Sequence, residues 1–308
     1  MTAYLVRRIL WLPVVLWGIA TLVFFILFAI PGDPARLVAG QHADAQTLEA
    51  VRARLKLDRP VAEQYVSFLG RLARGDLGTS YRQQRPVAEI IAERFPATAI
   101  LAVTAVALAS LVGIGAGLAA ASRPRSLVDG AAMGGALLGV STPVFWLGLI
   151  LILVFAAKLR WFPVGGYGTP AHLVLPAVTL AAVSAGTIAR MTRSSVLEMA
   201  SREFVRSARA RGLSKGQALI RHAFRNALLP VITVIGLDLA GLLGGAVATE
   251  TIFSWPGLGR AIMDAVRARD VPVVEGGVLF LAAVFVTMNL AVDLLYAVLD
   301  PRVRESMR

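Results

Sequence analysis

Six apolar runs, each near the length needed to cross a bilayer, constrain this 308-residue chain more than any other feature. A hydrocarbon core about 30 Å thick takes roughly 20 helical residues at 1.5 Å each. The runs cover 9–30, 97–121, 130–157, 173–189, 227–249 and 276–299, the fourth being short. With 57% hydrophobic and 16% charged residues and a mean hydropathy of +0.70, a single water-soluble core is a poor fit. Backbone groups in lipid must be satisfied internally, so the runs are expected to be helices. The ten-residue alternating segments of a membrane β-barrel are absent. The expected fold is an all-α membrane protein with six spans.

Charge sets the expected orientation. Arg7 and Arg8 precede the first run, but that run is too long for a signal core and ends in Ile30-Pro31-Gly32-Asp33 without a small-x-small cleavage site. It reads as a retained anchor. With the N-terminus inside, the short inner segments carry sixteen Lys or Arg, nine of them in 190–225, against five in the short outer loops. The positive-inside rule then puts both termini in the cytoplasm of a multi-pass inner or plasma membrane protein. The net charge of +12 reads as a topology signal, and no aromatic-interleaved basic patch points to nucleic acid.

Two polar segments stand apart from the spans. Residues 31–96 are expected outside. Leu48, Val51 and Leu55 recur at helical spacing, and Val61, Tyr65, Phe68, Leu69 and Leu72 form an apolar stripe between Pro60 and Gly75. Two amphipathic helices are expected, either covering helix ends or forming a docking surface. Residues 190–226 are expected inside as helix, tight turn, helix, with Gly212 just past the first helix, Ser214 capping the second, and an end at Pro230. Composition leaves two readings: an anchor on anionic lipid, or a hairpin that receives force from a cytoplasmic partner.

Enzymatic chemistry is hard to find. The chain has no cysteine, three scattered histidines (His42, His172, His222) and no G-x-x-x-x-G-K-[ST] phosphate loop. No metal cluster is suggested, and His172 has no serine motif near it that would make an intramembrane protease. Glycines four apart (Gly113 with Gly117, Gly130 with Gly134, Gly135 with Gly139, Gly241 with Gly245) suit close helix packing. Two acids fall within the runs, Asp238 near mid-span and Asp293 nearer the inner end. Such groups normally face a bundle interior or a water-filled path, so Asp238 is the stronger pathway candidate. Pro143 is expected to kink the third span. Phe253 and Trp255 suit an interfacial aromatic belt, and Pro256-Gly257 a turn.

The inner loop also carries a family resemblance. Arg206-Ser207-Ala208-x3-Gly212, followed by Asn226-Ala227-Leu228-Leu229-Pro230, resembles the Glu-Ala-Ala-x3-Gly loop of ABC-importer permeases. It departs from that pattern, with Arg206 for the acid and Ser207 for the first alanine, in the manner of the peptide-importer branch. Pro31-Gly32-Asp33-Pro34-Ala35, Leu57-Asp58-Arg59-Pro60-Val61, Gly75-Asp76-Leu77-Gly78, Thr142-Pro143-Val144-Phe145-Trp146, Glu250 through Arg260, and Asp300-Pro301-Arg302 extend the resemblance over nearly the whole chain. It is similar to the first permease subunit of dipeptide and oligopeptide ABC importers.

That resemblance implies a type I permease architecture in four parts: 1–30, an extracytoplasmic segment 31–96, a core 97–299 holding the loop 190–226, and a tail 300–308. It implies an ATPase-coupling loop of Glu203, Arg206, Ser207, Ala208, Arg209, Ala210, Arg211, Gly212 and Leu213. It implies an outer gate or binding-protein contact at Glu250, Phe253, Trp255, Pro256 and Gly257. The implied partners are a second permease, two ATPase subunits that bind ATP and Mg, an extracytoplasmic binding protein and membrane lipid. This chain needs no cofactor of its own. Cargo stays open among dipeptides, oligopeptides, nickel complexes, glutathione and haem; a stand-alone secondary transporter is the alternative of another class.

Overall fold

The computed structural model describes residues 2–29, 35, 39, 43–54 and 57–299. The expectations attached to Pro31–Pro34, His42, Leu55 and the tail 300–308 fall outside them. Among the described residues the structure is helical apart from turns and one isolated antiparallel bridge between Thr79 and Pro86. The helices are α1 (Thr2–Ala29), α2 (Ala45–Arg54), α3 (Val61–Leu72), α4 (Val87–Ser122), α5 (Leu127–Ser141), α6 (Val144–Leu151), α7 (Pro170–Ala200), α8 (Glu203–Ala210), α9 (Lys215–Ala218), α10 (Arg225–Leu243), α11 (Val247–Ile252), α12 (Leu258–Ala268) and α13 (Val271–Leu299). π-helical turns follow α6 (Ile152–Lys158) and join α9 to α10 (Leu219–Phe224).

Five helical runs are long and apolar enough to cross a membrane, and α5 with α6 and its π turn makes a sixth bent by 104°. The third span is therefore broken rather than merely kinked. Thr142 takes extended backbone because a residue before proline is pushed out of the helical region, and Pro143, extended as well, sits at the N-cap of α6. Pro230, in contrast, ends nothing: the run Lys215–Leu243 passes through it. The π turn just before it loosens the backbone ladder, which lets a proline be absorbed. The short fourth run belongs to a 31-residue helix, since the polar residues 190–200 continue α7 instead of starting a loop.

The chain divides into two compact units, one of residues 2–98 and 256–284, the other of 99–255 with the residues from 285 on. In the second unit α7 is the hub. Glycines decide how near its neighbours come. A Cβ on Gly113 would lie 2.8 Å from the Ala185 carbonyl oxygen, one on Gly117 2.6 Å from that of Ala189, and one on Gly139 2.5 Å from that of Ala182. These three therefore pack α4 and α5 against α7, as the four-residue spacing suggests. Gly130, Gly134, Gly135 and Gly241 meet nothing within 4 Å, and Gly245 serves a turn at φ +129°. Ala109, Ala181, Ile188 and Val231 close the core among α4, α7 and α10.

The first unit is built on α1. Its Ala20 and Phe24 pack with Phe68 of α3 and Leu279 of α13, with Val61, Tyr65, Leu69 and Leu72 around them. This is the stripe read from the sequence. Thr21 and Tyr65 share a 2.7 Å hydroxyl hydrogen bond in the same seam. A second core joins Val87, Ile90 and Ile91 of α4 to Leu258 and Ile262 of α12 and Val273 and Val274 of α13. Asp270, 3% exposed, ties the unit together. Its carboxylate accepts the Ser80 hydroxyl (2.5 Å) and the backbone N–H groups of Tyr81 (2.9 Å) and Arg82 (3.3 Å).

Candidate functional site

The segment 203–218 is a short hairpin whose turn is specified atom by atom. After α8, Gly212 takes φ +95°, a conformation that suits glycine. The Gly212 N–H donates to the Arg209 carbonyl (2.9 Å) and that of Leu213 to Ala208 (3.4 Å), the paired bonds of a Schellman C-cap. Two residues on, Ser214 Oγ accepts from Gln217 N while Gln217 Oε1 accepts from Ser214 N, a complete capping box. Gly212 and Ser214 thus occupy the two places that the sequence assigns them.

Burial separates the hairpin's two faces. Val205 and Ala208 are buried against Ala218, Leu219, Ala223, Ala227 and Val196, with Leu213 packed alongside. Glu203, Arg206, Ser207, Arg209, Ala210, Arg211 and Gly212 are exposed, as is Phe204 at 41%. A rigid base therefore presents arginines around an exposed aromatic ring. Chemically, such a surface suits a groove with an apolar floor and acidic edges.

The other candidates do not converge on the hairpin. Asp238 is half-buried on α10; its carboxylate faces Ser184 of α7, and Oδ2 is buried without a hydrogen-bond partner. A polar atom left so inside a bundle is costly and suits a polar path or switch. Pro143 sits at the break between α5 and α6 and is exposed. Asp293 is half-buried on α13.

The segment 250–255 corrects the aromatic-belt reading. Phe253 and Trp255 are 1% and 2% exposed, so they do not face lipid. Phe253 packs with Ala156 and Leu175, and its carbonyl accepts the Gly166 N–H at 2.8 Å. Trp255 meets Tyr167 edge-on at 4.9 Å, and its backbone N–H donates to the Glu250 carbonyl at 2.8 Å. Glu250 is fully buried. The polar residues spaced through 249–254 hide that this segment is core. Pro256 and Gly257, in the other unit, line a pocket of about 290 Å³ with Arg82, Arg94 and Arg260.

One partly buried ion pair escaped sequence reasoning. Arg193 of α7 grips Asp129 of α5 with both fork nitrogens, Nε to Oδ1 at 2.6 Å and Nη2 to Oδ2 at 2.7 Å, and Arg125 N adds a third donor at 2.9 Å. Placing the third run at residue 130 left Asp129 just outside it. A lone acid beside an apolar run was the available signal.

These features define a class before they define a family. The fold is that of ABC-transporter membrane chains. It matches a chain of the inward-facing MetNI methionine ABC transporter with a TM-score of 0.56 at 17% identity, over 69% of this chain and 97% of that one. An amino acid ABC transporter solved with histidines gives 0.52 at 18%, over 70% and 94%. The chain belongs to the binding-protein-dependent transport system inner membrane component family, whose model matches residues 112–305, with the family's N-terminal model matching 1–102. It is 41% identical over 304 residues to the glutathione transport system permease protein GsiC of Escherichia coli K12, covering 99% of each chain. It is 40% identical to the dipeptide transport system permease protein DppB of Alkalihalophilus pseudofirmus, covering 99% of this chain and all of that one. The chain is thus the permease subunit of an ABC importer.

Proposed function

We propose that this permease forms one half of a membrane pathway for short peptides, with glutathione as the nearest alternative cargo. Similarity across the full length to a glutathione permease and to a dipeptide permease supports that cargo class. A second, similar permease completes the pathway, two ATPase subunits bind ATP and Mg and hydrolyse the nucleotide, and an extracytoplasmic binding protein delivers the peptide. This chain carries no catalytic step. Both termini are cytoplasmic, in keeping with the excess of Lys and Arg in the short inner segments.

The observation that carries the mechanism is the 203–213 hairpin, rigid at its base and exposed at its tip. Closure of the ATPase dimer on ATP pulls this hairpin toward its counterpart on the second permease. Because the hairpin's buried face is packed on α7 and on the run into α10, it moves these helices rather than bending itself. The pathway then opens outward, accepts the peptide and resets on hydrolysis. Asp238 lines the pathway as a polar contact, the break at Pro143 shapes it, and the buried 250–255 lock acts as its outer gate.

Reconstitution of the chain with its co-purifying subunits in proteoliposomes tests the reading. Uptake of a dipeptide that requires ATP and the binding protein is the expected result. Uptake without ATPases, or a chain that purifies alone and transports down a gradient, contradicts it.

A further inference from the structure

The unit of residues 2–98 and 256–284 holds an open-mouthed cavity of about 460 Å³, lined by residues of α1, α3, the 76–84 loop and the start of α13. The proposed pathway makes no use of it. Its volume lies in the range of small-molecule sites, roughly 300–1,000 Å³. Phe24, Phe28 and Phe68 give it an aromatic wall. Arg59 and Glu63, both more than half exposed and paired at 3.6 Å, stand on its outer side.

Deeper in the lining, Glu275 is only 9% exposed. Arg71 is the cation that acts on it, and no hydrogen bond reaches its carboxylate among the described residues. A carboxyl that lines a cavity with no protein donor on it has acceptor sites left for a ligand's N–H groups. Tyr81 lines the same space on a loop that Asp270 holds in place. Burial first, then the neighbouring Glu275, pushes its phenol up to about 12, so it stays a neutral hydroxyl at physiological pH. The lining therefore combines a buried carboxyl without a protein donor, a fork-shaped cation, a neutral hydroxyl and an aromatic face.

We propose that this cavity is a second binding site, for a short peptide with free ends, its ammonium held by Glu275, its carboxylate by Arg71 and an apolar side chain by Phe24 and Phe68. An ammonium supplies the donors that Glu275 lacks, and a guanidinium fork matches a carboxylate in two parallel bonds. The identity of the ligand rests on the peptide cargo proposed above.

The importer complex in nanodiscs, without the binding protein, is photolabelled with the dipeptide glycyl-p-benzoylphenylalanine. Saturable labelling within 24–28, 68–84 or 271–275 is expected. The N-acetylated and C-amidated dipeptides should compete at least about tenfold more weakly than the free one, the loss expected for one charged hydrogen bond. Glu275→Gln, nearly isosteric, should weaken labelling by a similar factor while Glu89→Gln, on the exposed face of α4 and outside the cavity lining, leaves it unchanged. Labelling only elsewhere, no saturable labelling, or equal competition by the blocked peptides overturns the site. Loss of labelling on adding phosphatidylethanolamine assigns the cavity to a lipid headgroup and also overturns it. Uptake by the same complex reconstituted in proteoliposomes, with the binding protein and ATP, separates the two readings: uptake without labelling removes this site alone, and labelling without peptide uptake removes the peptide-cargo reading.

Discussion

Gly117→Ala isolates the feature that holds the α4–α7 contact together. A Cβ at residue 117 would lie 2.6 Å from the Ala189 carbonyl oxygen, 2.6 Å from Thr192 Cβ and 3.0 Å from Thr192 Cγ2. Non-bonded atoms of this kind settle at about 3.5 Å, so the helices must part by nearly 1 Å along this contact. Neither obstacle swings aside, one being backbone and the other the branch point of a buried threonine. Overpacking of this sort costs about 1–3 kcal/mol, and alanine returns up to about 1 kcal/mol in helix propensity. Gly115, two residues away, is exposed with nothing within 4 Å, so Gly115→Ala keeps only the gain. The two substitutions are chemically identical and should differ in sign. Thermal unfolding of the detergent-purified chain should place Gly117→Ala about 2–6 °C below wild type and Gly115→Ala at or slightly above it. Equal melting temperatures would refute the argument from close helix approach.

Other consequences are as direct. Asp270→Ala removes three charge-assisted hydrogen bonds, of which even one is worth about 1.5–3 kcal/mol, and should open residues 80–85 to limited proteolysis. Gly212→Val forces a branched residue to φ +95°, costing about 1–3 kcal/mol, and should leave ATP hydrolysis running while peptide uptake is lost; wild-type uptake would count against a coupling role. Asp129→Asn and Arg193→Gln should each lower the melting temperature, and the double variant should fall short of their sum, since each single change strands the other partner of a bidentate pair.

Much of this fold is legible in residue spacing alone. Glycine at 212 and serine at 214 announce the hairpin turn because cap chemistry is local, and the 61–72 stripe announces a helix with one buried face because helical periodicity is local too, while its partner α1 is distant in sequence and came only from the structure. Hydropathy fails at charges. A run is cut where a charge occurs, so Asp129 and Glu275 fell one residue outside runs drawn from 130 and 276, although the structure buries both. The same bias turned the polar end of α7 into a loop and missed α12, an amphipathic helix that buries Leu258, Ile262 and Ala265 beside exposed charges. Phe253 and Trp255 were misread for a related reason: aromatic rings beside a turn look alike whether they meet lipid or the chain's own 165–167 segment.

The central claim is that the 203–213 hairpin is where this permease receives force from an ATPase. Because the chain has no cysteine, a single Ser207→Cys substitution gives one defined thiol on the exposed hairpin face. A short bifunctional cross-linker applied to the intact importer should join this thiol to an ATPase subunit, with a yield that changes when ATP is bound. Cross-linking to the binding protein, or labelling of the thiol by an impermeant reagent from the outer side, would contradict both the orientation and the coupling role.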